Sequence, residues 1–275
     1  MQVQIITDSS CDLPKDIIKR YGIRIVPLSI HFNEETYVDQ LEINNDTFYK
    51  KLSQGSELPK TSRPNPVAFA KAFKEAGNNQ PVICITLSSG LSGTYESAIL
   101  AKGMVECQVE VIDSLNASIA VGLLVIKAAK LAEQGLGIDL IKNEIIKYRN
   151  EINTFFTLDT LENIVKGGRL SSWEGAIGQV LNIKPILYNQ RDGLIGTLEK
   201  VRGRKRSLKR LVQLAEETGK DFSQLTLGIT HSRADDINQL VQDIKETLHP
   251  KEIIISELGP VIGTHTGFGA VLIAF

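Results

Sequence analysis

The chain has 275 residues, 42% of them apolar, enough for one large or two ordinary domains each with a core of its own. Lys and Arg number 31 against 32 Asp and Glu, and the formal charge of -1 excludes a surface built throughout for nucleic acid, so basic recognition is confined to a local patch. Three widely spaced cysteines, Cys11, Cys84 and Cys107, form no CxxC pattern, and no run of about 18 apolar residues occurs, so a reduced, cytoplasmic protein is expected.

The first elements alternate between strand and helix. VQIIT at 3–7 is short and β-rich, and Pro14 opens a helical stretch closed by Gly22. Ile23, Ile25, Leu28, Ile30 and Phe32 follow a period of two and predict one strand ending near the turn residues 33–35. A helix is expected at about 45–54, then a loop containing TSRP, then a helix with Asn65 as N-cap and Pro66 in first position. PVICITL and VEVID read as strands; SSGLSG follows the first and leads to a helix near Thr94, and helices at 115–134 and 138–151 follow the second. Four strands alternating with helices predict a mostly parallel sheet, and a domain boundary is placed near residue 152.

The remainder changes character. Short helices are expected at LENIVKG and SWEGAIGQVL, the second with Ser171 and Glu174 at capping-box spacing. KPILYN, the turn QRDG and IGTLEKV form a hairpin; a helix from about 204, strand LTLGIT, a helix from about 235, strand EIIIS, a glycine-rich loop and strand AVLIAF complete the chain. Residues 1–152 and 153–275 are therefore expected to form two α/β domains, the first with a mostly parallel sheet and the second with a mixed one.

Several segments can carry chemistry. SSGLSGT, at a strand-to-helix turn, offers hydroxyls and the N–H groups of a helix N-terminus to an anion; an ordinary capped turn explains it equally well. GPVIGTHTGFG concentrates glycines around His265, which can donate to an oxyanion. KTSRP adds two hydroxyls, and KGGR places Arg169 where it can meet an anion or stay solvated. KVRGRKRSLKR has seven basic residues in eleven, without interleaved aromatics, and suits an acidic partner or a phosphate better than a duplex. His31, His231 and His249 have no second ligand at metal spacing, so no metal is assigned. GLSG falls one residue short of the GxSxG nucleophile elbow, yet the order Ser92, then Asp113 or Asp159, then His265 matches that of α/β-hydrolases and keeps an acyl hydrolase as the alternative.

Together, IITDSSCDLP, TSRP, ITLSSGLSGTYESA, VIDS, KGGR and GPVIGTHTGFG resemble the DegV family of bacterial fatty-acid-binding proteins along nearly the whole chain. Members of that family are similar to FakB, the carrier subunit of bacterial fatty acid kinase. The resemblance implies a lipid tunnel between the two domains, a long-chain fatty acid as ligand with no other cofactor, and a carboxylate held by Thr61, Ser92 and His265. It also implies that Ser62, Gly93, Arg169 and Thr266 lie near the head group and that Arg202, Lys205 and Arg206 meet an ATP-dependent kinase subunit. The acyl phosphate would pass to an acyltransferase system for phospholipid synthesis; transient membrane contact is compatible with this scheme, and nucleic acid is not a partner.

Overall fold

A computed structural model describes residues 2–55, 57–78, 80–170 and 182–275. The first half runs β1 (Gln4–Asp8), a 3-10 turn at Ser9–Cys11, α1 (Lys15–Arg20), β2 (Arg24–Val26), β3 (Ser29–Phe32), β4 (Glu35–Val38), α2 (Asn45–Gln54) and β5 (Lys60–Ser62). It continues through α3 (Pro66–Ala76), β6 (Val82–Thr86), α4 (Thr94–Lys102), β7 (Val109–Asp113), α5 (Ile119–Glu133) and α6 (Ile138–Glu151). The second half contributes β8 (Thr154–Thr157), α7 (Glu162–Lys166), β9 (Ile183–Asn189), β10 (Ile195–Arg202), α8 (Arg204–Glu217) and β11 (Thr226–His231). It ends with α9 (Ile237–Leu248), β12 (Glu252–Glu257), α10 (Pro260–Thr266) and β13 (Val271–Ala274).

The described residues form three sheets. The first, in the order β2-β1-β6-β7, is parallel throughout, as the alternation of strands and helices predicts. The second, β10-β9-β8-β13-β11-β12, is mixed, with β11 and β12 parallel and its other neighbours antiparallel. A small antiparallel sheet, β4-β3-β5, stands apart. It corrects two sequence expectations. The strand expected over 23–32 is divided at Pro27, which lacks an N–H for a ladder, so β2 joins the parallel sheet and β3 the small one. The TSRP segment is not wholly a loop, because Lys60–Ser62 pairs with β3 and places Thr61 opposite Ile30.

The third correction concerns the glycine-rich segment near the C-terminus, where Pro260–Thr266 forms helix α10. Pro260 sits in its first turn, where a missing N–H costs no intrahelical bond. Gly263 serves packing rather than looseness, since a Cβ there would lie 2.7 Å from Phe48 and 3.0 Å from the Tyr49 hydroxyl. The Asn65 cap is as expected, its side chain accepting from the Ala68 N–H at 2.9 Å. Ser171, Glu174 and the helix expected over 172–181 lie outside the described residues.

Helix α5 holds the halves together. Twelve of its 15 residues are buried, and it packs on β1 and β6 of the parallel sheet and on β11 and β13 of the mixed one. A helix apolar on every side needs such enclosure. Gly228 permits the approach to β11, since a Cβ there would meet Ile119 at 2.5 Å.

Candidate lipid site

The parallel sheet delivers its loops to one edge, beyond the carboxyl ends of its strands, where open α/β sheets form clefts. There Leu28, Leu87, Leu91 and Ala117 face Phe156 and Leu272 of the mixed sheet across a cavity roofed by α10. Its unfilled space is about 730 Å³, open mouth included, and its apolar walls stand close together. The bore is therefore narrow. Its walls are almost wholly apolar except where Thr61, Ser92, Arg169, His265 and Thr266 enter, with Asn189 as a further polar lining residue.

The polar group is assembled from four segments. β5 presents Thr61, and α10 presents His265, whose Nε2 lies 3.1 Å from the Thr61 hydroxyl. Arg63 donates to the Gly93 carbonyl at 2.9 Å, tying the KTSRP segment to the turn that carries Ser92. Arg169, half-buried, donates through Nε to the Leu91 carbonyl at 3.2 Å and through Nη1 to the Gly167 carbonyl. Burial holds its guanidinium below the usual pKa. Asn163 on α7 donates to the Thr264 carbonyl at 3.1 Å and fixes α10 against α7, while the Thr266 hydroxyl is held within α10 by donating to the Ile262 carbonyl at 3.1 Å.

His265 is neutral at physiological pH. Burial first, and the positive charge of Arg169 second, push its pKa down to about 4. Its Nδ1 is buried without a hydrogen-bond partner among the described residues. Gly167 lies against that nitrogen, and a Cβ at that position would come within 2.6 Å of it. The repeated glycines of KGGR marked this place in the sequence, but their service to the imidazole did not show there.

The structure brings five of the seven expected head-group residues to the cavity and leaves two outside its wall. Ser62 points away and bonds His31 Nε2 at 2.9 Å, while Gly93 caps α4 and accepts from Arg63. The hydrolase alternative loses its geometry. The Ser92 hydroxyl pairs with Thr94 at 2.9 Å, whereas His265 pairs with Thr61. Asp113 accepts the backbone N–H groups of Ser89 and Leu115, and Asp159 pairs with Lys184 and Arg204, so neither orients the imidazole. At its polar end the cavity meets an open groove that shares Thr61, Arg169 and His265 and adds Lys60, Lys166 and Glu162. Among the described residues no His, Cys, Asp and Glu side chains group as metal ligands, and no helix is long and apolar enough to cross a membrane.

The cavity is thus narrow and apolar, with hydroxyls, a neutral imidazole and the Arg169 guanidinium gathered at one end. The family model described as "Uncharacterised protein, DegV family" matches residues 2–275. The chain belongs to the DegV family. Its fold is similar to that of a fatty-acid-binding DegV family protein from Thermus thermophilus, with TM-score 0.92 and 31% identity over 100% of this chain and 99% of that one. DegV of Bacillus subtilis, a fatty acid binding protein, superposes with TM-score 0.90 and 33% identity over 100% and 98% of the two chains. The Streptococcus pneumoniae fatty acid kinase B3 protein, loaded with linoleic acid, gives TM-score 0.88 and 27% identity, covering 100% and 99%. DegV homologues thus bind fatty acids.

Proposed function

We propose that this protein is a cytoplasmic carrier that encloses one long-chain fatty acid between domains formed by residues 1–152 and 153–275. It presents the carboxylate to a separate ATP-dependent kinase subunit and catalyses no step itself. The observation that carries this reading is the apolar cavity whose polar end, built on the Thr61–His265 pair, opens into a polar groove.

Burial of a methylene contributes about 0.8 kcal/mol, so some fourteen contribute roughly 11 kcal/mol as an upper limit. The tail supplies most of the affinity. Hydrogen bonds from neutral donors to the charged carboxylate contribute about 1.5 to 3 kcal/mol each, and a buried carboxylate without them is costly, so they select an acid and fix its direction. With His265 neutral and its N–H on Nε2, the imidazole donates to the Thr61 oxygen and the Thr61 O–H is left to donate to the carboxylate. Ser92 supplies a second hydroxyl from the facing turn, and Arg169 a positive charge beside the mouth.

A carboxylate oxygen so placed is the nucleophile for the γ-phosphorus of ATP held by the kinase, with ADP leaving. The acyl phosphate would then pass to an acyltransferase system for phospholipid synthesis. Support for the kinase partner is the likeness to the Streptococcus pneumoniae fatty acid kinase B3 protein. Native mass spectrometry of the purified protein tests the carrier reading: a bound long-chain acid is expected, and a bare chain that also takes up no added oleate refutes it.

A further inference from the structure

The acid cavity is flanked at two places where polar side chains enter its wall. One is the groove that shares Thr61, Arg169 and His265. The other is a recess that shares Asn189 and is lined further by Leu115, Arg149, Ile152, Gln190 and Arg191. Its unfilled space is about 910 Å³, open mouth included, and it has no described lining residue in common with the groove.

Strand β8 and its extension give the direction from one to the other. Leu158, which leads towards α7, and Phe156 both line the acid cavity. Thr154 follows on the same face at the strand period of two, further from α7, and lines the recess instead. Asn189 stands at this passage. It is half-buried, lies opposite Ile195 across β9 and β10, and lines both spaces, whereas Ile195 lines the acid cavity alone.

The Asn189 amide is held in place. Its Nδ2 donates to Asn116 Oδ1 at 2.8 Å, and the same oxygen accepts from the Thr154 hydroxyl at 2.9 Å. Asn116 in turn donates through Nδ2 to the Ser114 carbonyl at 2.9 Å, and both Asn116 and Thr154 are buried. These bonds run from the loop after β7 to the mixed sheet, so the amide is braced from both halves of the chain and does not swing aside as a lone apolar side chain could.

We propose that Asn189 stops the methyl end of the bound acyl chain and so sets the greatest length the cavity accepts, an inference that rests on the acid-carrier reading. A chain that reaches the amide has to fold back or break a bond held between two sheets. Removal of the side chain joins the cavity to the recess, where Leu115 and Ile152 offer apolar wall to further carbons, and leaves Asn116 Oδ1 the Thr154 hydroxyl as partner.

Native mass spectrometry of the full chain with an equimolar mixture of oleate and erucate, a monounsaturated acid four carbons longer, tests the stop. The native sequence is expected to take up oleate in preference. Asn189→Ala should raise the ratio of bound erucate to bound oleate about tenfold or more, roughly the effect of burying two further methylenes. An unchanged ratio in a variant that still binds oleate overturns the proposal and leaves the carrier reading standing, as does a native chain that takes up both acids equally. A native chain that takes up neither refutes the carrier reading and the stop with it. Ile195→Phe decides the matter should Asn189→Ala not fold, because the larger ring fills the same end. The ratio of bound myristate to bound oleate should then rise severalfold, and no change refutes the placement of the methyl end.

Discussion

At His265 one ring nitrogen has a partner and the other has none among the described residues, and burial decides the charge. Its pKa in the folded chain lies below the ordinary value near 6.5, so the unfolded chain binds the proton more readily. Its contribution to stability is therefore complete above about pH 6.5 and is lost as pH falls towards about 4. Nitrogen NMR of the imidazole should show a midpoint near 4, moving upward in Arg169→Gln; a midpoint at 6.5 in the native protein contradicts the buried, neutral assignment. Thr61 and His265 act on the carboxylate as one unit in the proposed geometry, so Thr61→Val and His265→Ala should each weaken oleate binding by about tenfold. The double variant should then bind no worse than either single one. Strictly additive losses, measured by the same titration, would assign them independent contacts. The residue types were legible in the sequence, but the hydrogen bond was not, because 204 positions separate its partners.

Among the elements, α8 and the strand before it show how a run of charge divides once folded. Arg204 pairs with Asp236 at 2.8 Å and reaches Asp159 and the Gly269 carbonyl, while Arg210 clamps Glu199 and Glu217. Arg202, Lys205 and Arg206 are exposed and pair with none of the described residues, leaving them open to the kinase contact proposed for this surface. Arg202→Glu should leave oleate affinity unchanged and impair acyl-phosphate formation with the kinase subunit, whereas Arg204→Glu should lower the melting temperature through its lost partners. If Arg202→Glu also abolishes oleate binding, the docking surface and the lipid site are not separate. Seven basic residues in a row of eleven could not reveal this division, since the acids that neutralise two of them lie up to 45 residues away. Strand and helix periods were readable wherever one face is buried. They failed at β5, too short between Pro59 and Pro64 to show a period, and at α10, where close packing against Phe48 required a glycine that also suggests a loop. Pro260 and Pro27 were the available signals of the helix start and the broken strand.

Over the whole molecule, buried acids act against the imidazole. Asp39 and Asp12 have raised pKa values in the folded chain, so the stability associated with their protonated forms is present at low pH. It is lost as pH rises through about 7 for the one and about 8 for the other. Denaturant unfolding should find Asp39→Asn gaining on the native sequence from about pH 4 to 7, by a few kcal/mol at most. A difference that stays constant across that range contradicts the raised value. The parallel sense of the first sheet could be anticipated from alternation, but the lipid cavity could not, because it is lined by segments drawn from both halves of the chain. The helix that joins those halves has a further consequence during synthesis. Residues 119–133 leave the ribosome early, yet β11 and β13, which cover the far side of α5, are complete only at residues 231 and 274. At roughly 5–20 residues per second, the growing chain carries an uncovered greasy flank for on the order of ten seconds. Over that interval the nascent protein itself depends on protection from water and from its neighbours on the polysome.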